Sequence, residues 1–126
     1  MKLFKEWMNL GRDEDVQEHR IILTWEAIYD ITGITDYIEY EFGRTRADRF
    51  EDDIRNELKG IAYMAEAYEQ TQISYRGYMI HKKPFPPSVI FYIVKEKEIH
   101  ILRVLREERN WRSILGKKKD YTYPDK

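Results

Sequence analysis

Apolar positions recur along this chain with two different periods, and the changes of period divide it into elements. The run "RIILTW" (20–25) is short, β-branched and apolar, and predicts a first strand. From Trp25 onward, Ala27, Ile28, Ile31, Ile34 and Ile38 return every three or four residues, the repeat of a helix with one buried face. Thr24 stands where the cap of that helix belongs, and Gly43 is suited to close it. Gly33 falls inside it at a cost of ~1 kcal/mol relative to alanine and marks a place for a kink or break. The same period continues through Ala47, Phe50, Ile54, Leu58, Ile61 and Ala65 to about Tyr68, with Thr45 as the expected cap. The two helices form a hairpin.

Beyond Tyr68 the period drops to that of strands. "YRGYMIHKK" (75–83), "SVIFYIV" (88–94) and "EIHILRVLR" (98–106) are rich in aromatic and β-branched residues, with "PFPP" (84–87) and "KEK" (95–97) as turns. The short Lys95-Glu96-Lys97 link makes the last two strands an antiparallel hairpin, because a parallel pair needs a longer crossover. "RNWRSIL" (109–115) predicts a short final helix with Trp111, Ile114 and Leu115 on one side. The expected order is β-α-α-β-β-β-α, an α+β domain with the helix hairpin packed on one face of a small, mainly antiparallel sheet. It occupies residues 20–116, between an N-terminal extension (1–19) and a basic polar tail (117–126). In the extension, Leu3, Phe4, Trp7, Met8 and Leu10 fall on one side of a short amphipathic helix closed by Gly11. A helix that short must dock to persist. It either covers an apolar groove of the domain, pairs two copies into a homodimer, or extends the core beside the hairpin.

Composition adds exclusions. A chain of 126 residues suits one domain. With no cysteine, a disulfide framework and a thiolate metal site are both excluded, and a cytoplasmic location is expected. The longest apolar run, Val89 to Val94, is far short of the ~20 residues of a membrane helix, so no membrane partner is expected. The formal charge is −1 but unevenly placed. Residues 20–70 hold 6 Lys and Arg against 12 Asp and Glu, and residues 71–126 hold 13 against 6. The basic half either meets an anionic surface or attracts the acidic half of its own fold.

The strand "IHILRVLREERNW" (99–111) carries charge where apolar residues are required. Both its sides are mostly apolar, with strict alternation placing Ile99, Ile101, Arg103 and Leu105 on one side and His100, Leu102, Val104 and Arg106 on the other. Arg103 therefore needs a partner inside the fold, and Asp30 beside the apolar stripe of the first helix is the expected one. Arg106 leaves the strand where a guanidinium stays wet. The three histidines, His19, His81 and His100, have no metal-ligand spacing, and no glycine-rich phosphate loop or serine or cysteine nucleophile signature is present. Neither a metal nor another cofactor is expected.

Four strings carry a resemblance in the right order: "LTWEAIYDITGITDYI" (23–38), "FGRTRADRFEDDI" (42–54), "VIFYIV" (89–94) and "IHILRVLREERNW". From about Arg20 to Leu115 the chain resembles the ParE branch of the RelE/ParE superfamily, toxins of bacterial type II toxin–antitoxin operons often described as plasmid-stabilisation proteins. That resemblance implies a RelE/ParE-like fold and a growth inhibitor neutralised by a cognate antitoxin. ParE-type members poison DNA gyrase by binding it, which here would assign Arg106, Arg109, Arg112, Lys117 and Lys118, with Lys119 beside them, to target contact. RelE-type members are mRNA interferases that cut messenger RNA on the ribosome, which requires a base, cations at the phosphate and an acid for the leaving oxygen. His81, Lys82, Lys83, Arg106 and Tyr121 or Tyr123 would then fill those roles. In that branch the third strand bears an arginine, whereas this chain has Ser88 or Val89 there, and Arg106 stands where a histidine commonly follows Arg-Val-Leu. An inactive relative that only binds antitoxin is the third expectation.

Overall fold

The computed structural model describes residues 19–117 and 120–124. β1 (Arg20–Leu23) leads through Thr24 into α1 (Trp25–Phe42), and α2 (Arg44–Met64) returns beside it, followed by a 3-10 turn at Ala65–Ala67. Four strands follow, β2 (Gln70–Tyr75), β3 (Tyr78–Phe85), β4 (Ser88–Lys95) and β5 (Glu98–Arg106), and then the short α3 (Trp111–Lys117). The expected element order holds, with one additional strand. The stretch 75–83 is divided by a tight turn in which Arg76 and Gly77 both have positive φ, 54° and 88°, so the hairpin β2–β3 begins five residues earlier. The five strands are ordered β1-β5-β4-β3-β2, and every neighbouring pair is antiparallel except β1 with β5.

Thr24 caps α1 as its position predicts: its hydroxyl oxygen accepts from the Ala27 N–H at 2.9 Å and its O–H donates to the Leu102 carbonyl at 2.9 Å. Thr24→Ala should therefore lower stability by about 1–2 kcal/mol. A reduced urea midpoint at unchanged denaturant slope is the expected measurement. Two helix details differ from the sequence expectation. α1 runs unbroken through Gly33, and the cap position of α2 is Gly43, whose φ of 97° suits glycine, rather than Thr45. A positive φ at residue 43 turns the chain sharply enough for α2 to begin one residue later.

Both faces of the sheet are covered. Under the helix hairpin, Ile90, Tyr92, Ile99, Ile101 and Val104 pack against Ala27, Ile28, Ile31, Ile54, Leu58 and Ile61. On the opposite face, Ile80, Val89, Phe91, Ile93, Leu102 and Leu105 form a second cluster with Leu115, and Trp111 and Ile114 pack against it. The expected polar tail helps to close this second face. Tyr121 is only 6% exposed and meets Tyr75 edge-on at 4.9 Å between ring centroids. Thr122 accepts from the Trp25 N–H at 2.8 Å and donates its own N–H to Glu26 at 3.1 Å, tying the tail to the start of α1. Among the described residues no helix is long and apolar enough to cross a membrane. The amphipathic stretch 1–10, the link to residue 18 and Lys118 and Lys119 lie outside the described residues.

Candidate functional site

Strict alternation fails in β5, and the reason positions the site. Phe91 and Tyr92 are consecutive in β4 yet lie opposite Arg103 and Ile101, which leaves Leu102 as an extra residue, a β-bulge. After it the phase is reversed: Val104 joins Ile99 and Ile101 under the helices, and Leu105 joins Leu102 on the far face. Arg103 is brought against α1. Its Nε and NH2 groups donate to the two oxygens of Asp30 at 2.7 and 2.9 Å, a fork-on-fork geometry in which both side chains are largely buried. Hydrogen bonding to Asp30 raises the Arg103 pKa further, against the lowering effect of burial.

Asp30 has a second task. β1 ends where Leu23 faces Ile101, so among the described residues the outer edge of β5 has no strand partner beyond that point. Thr24 accounts for the Leu102 carbonyl, and Asp30 accepts the Val104 N–H at 2.9 Å. Side chains at the start of α1 thus stand in for the missing strand. Past them α1 and the end of β5 frame an open groove of about 370 Å³ lined by Tyr29, Asp30, Gly33, Ile34 and Tyr37 on one side and Val104 to Arg106 with Arg109 on the other. Gly33 faces open space here: apart from its chain neighbours and its own helix backbone, no atom lies within 4 Å of where its Cβ would stand.

Arg106 and Arg109 are the cations of this groove. Arg106 is exposed and donates from Nε to Glu108 at 2.7 Å. Backbone hydrogen bonding within Glu108 and then the Arg106 contact lower the Glu108 pKa. The Arg109 N–H closes the turn on the Arg106 carbonyl at 3.0 Å. Arg112 lies apart on α3, its guanidinium 4.3 Å from the centre of the Trp111 ring, with the Lys82 ammonium 5.0 Å from the same ring centre. Lys117 ends α3, and Lys118 lies outside the described residues.

The residues named for phosphate chemistry are not brought together. His81 is 5% exposed, stacks on Tyr92 at 5.1 Å and places Nδ1 3.0 Å from the Tyr68 carbonyl. Lys83 points to the helix side, where it pairs with Glu57 and lies over Tyr68, whereas Lys82 lies over Trp111. Tyr121 is buried in the second cluster, and burial raises its hydroxyl pKa. The Tyr123 hydroxyl is bound to His100 Nδ1 at 2.8 Å, and its pKa is pushed up to about 12 by burial. The other nitrogen of His100 meets Glu98 at 2.9 Å, and that bond is the main cause of the lowered Glu98 pKa. Tyr121 and Tyr123 hold the tail down, and the set as a whole does not face a common point.

The residues that sequence reasoning missed are Tyr29, Gly33 and Tyr37. They are spaced by four along the polar side of an amphipathic helix, and exposed aromatic groups at that spacing were the available signal.

The family model described as "ParE toxin of type II toxin-antitoxin system, parDE" matches residues 21–111. That span contains the Arg103–Asp30 pair and every residue lining the groove. The chain is also similar to a chain of the solved structure described as "Chromosomal ParDE TA system from P. aeruginosa", with 24% identity and a TM-score of 0.62. That similarity covers 74% of this chain and 100% of the other, and at this identity it speaks to the fold. No curated protein matches.

Proposed function

Because the chain belongs to the ParE toxin family of type II toxin–antitoxin systems, we propose that it arrests growth by binding DNA gyrase and is neutralised by a cognate antitoxin. The observation that carries gyrase binding over RNA cleavage is that, among the described residues, the candidate base and acid do not converge on one point. A base and an acid must reach the same phosphodiester from opposite sides. His81 is instead packed between Tyr92 and the Tyr68 carbonyl, and Tyr121 is enclosed in the far-face cluster. Poisoning by binding needs only a shaped and charged surface. Arg106 and Arg109 at the mouth of the groove supply one, with Arg112 and Lys117 farther along the same end of the chain.

A near-neutral net charge agrees with this choice, since binding to RNA draws heavily on positive charge. The groove itself suits the antitoxin: aromatic walls with two arginines fit an amphipathic segment that carries acidic residues. Induced expression should give filamentation and a DNA-damage response with messenger RNA intact, and the purified protein should inhibit gyrase supercoiling. Cleavage at codon ends on translating ribosomes would overturn the assignment, and unimpeded growth would leave antitoxin binding as the sole role.

A further inference from the structure

We propose that residues 3–10 of this chain occupy the groove between α1 and the end of β5 in cis, so that the protein carries its own weak competitor for the surface where its antitoxin is placed above. The α1 wall of the groove presents exposed aromatic rings. Tyr29 and Tyr37, which line it, are 65% and 49% exposed, and Tyr40, 87% exposed, lies on the same side of α1 beyond the groove. With Gly33 they span a sector of about 80° on α1, since successive helical residues are 100° apart. Phe42, 55% exposed, meets Tyr37 edge-on at 6.5 Å. Exposed aromatic rings grouped on one helix face are a surface suited to an apolar partner.

The eighteen residues that precede His19 carry a suitable one. Leu3, Phe4, Trp7, Met8 and Leu10 supply the apolar face, and Lys2, Lys5, Glu6 and Asn9 the polar one. The segment lies outside the family match, which begins at residue 21. Its reach is sufficient. His19 is fixed to the fold through Nδ1 at the Ala62 carbonyl, 3.0 Å away. Leu10 can lie as far as about 30 Å from His19, at ~3.3 Å per extended residue. Tyr29 is at most about 26 Å from His19 along six extended residues and one helical turn. Charge agrees as well: the link carries Asp13, Glu14, Asp15 and Glu18 against Arg12, and the groove carries Arg106 and Arg109.

Tethering decides the magnitude. A segment joined to the fold by eight intervening residues has an effective concentration of roughly 1 mM, so an intrinsic affinity of only ~0.1 mM keeps the groove about 90% occupied. A competitor then binds about tenfold more weakly than to an open groove. Such a segment delays a partner without excluding it.

The test uses the full chain, which has no cysteine, so that Asn9→Cys on the polar side of the segment provides a single attachment point for a nitroxide. Amide signals of Tyr29, Gly33 and Tyr37 should lose most of their intensity, while those of Ile80 and Lys82 keep theirs. Adding Trp7→Asp should restore the α1 signals. Signal loss seen only when spin-labelled and isotope-labelled chains are mixed would mean that a second copy provides the segment, and would overturn the proposal. So would full intensity at α1, which places the segment elsewhere. Collapse of the whole spectrum on Trp7→Asp would also overturn it, by showing that the segment belongs to the core. Neither antitoxin nor gyrase enters the measurement, so its failure is separable from failure of the proposed target.

Discussion

Arg103→Ala should lose roughly 3 kcal/mol of stability, within the range for breaking a buried ion pair, and should melt roughly 10 °C lower. Removing the guanidinium leaves the Asp30 carboxylate largely buried with only the Val104 N–H to bind. Asp30→Ala should cost more, because it strips Arg103 of its counter-charge and the Val104 N–H of its acceptor in one change. Urea unfolding followed by circular dichroism gives both numbers. An Arg103→Ala protein as stable as the parent but harmless to cells would place this arginine in the working surface instead.

The opposite pattern is expected at the mouth of the groove. Replacing Arg106 and Arg109 together by alanine should abolish growth arrest on induced expression while changing stability by less than ~0.5 kcal/mol per site, as at other exposed positions. The exposed Arg106–Glu108 pair contributes little to folding for the same reason. Thermal melting and colony counts on one set of variants separate the two roles. Retained toxicity with intact folding would move the target surface away from this end of β5, toward Arg112 and Lys117 on α3.

Most elements were legible because each rests on a short-range pattern. The repeat from Ala27 to Ile38 and the position of Thr24 define α1 and its cap, and a charged residue within an apolar strand pointed to an internal partner that the fold places at Asp30. What escaped depends on contacts between distant segments. β2 reads as polar over Gln70-Thr71-Gln72 because it is an edge strand. Its buried Thr71 holds the chain through its hydroxyl, which donates to the Ile80 carbonyl at 2.8 Å. The bulge at Leu102 has no sequence mark, since a leucine suits either face, and so Val104 and Leu105 exchange sides relative to strict alternation. Tyr121 sits in a stretch whose neighbours are lysines and aspartates, and only the apolar far face of the sheet explains why that one ring is buried. The groove was the least legible, because it consists of what α1 leaves uncovered.

The sheet order also fixes when this protein can become itself during synthesis. β1 is made early, yet its neighbour in the sheet is β5, seventy-eight positions later where Arg20 meets Glu98. The ring that seals the far face, Tyr121, comes later still. A nascent chain that stops before β5 has the helix hairpin but neither the strand that anchors it nor the arginine that Asp30 holds. Pairings this distant in sequence close slowly and late. An unfinished copy therefore has no groove and no basic mouth, and a cell translating this message meets the assembled surface only after the last strand has left the ribosome.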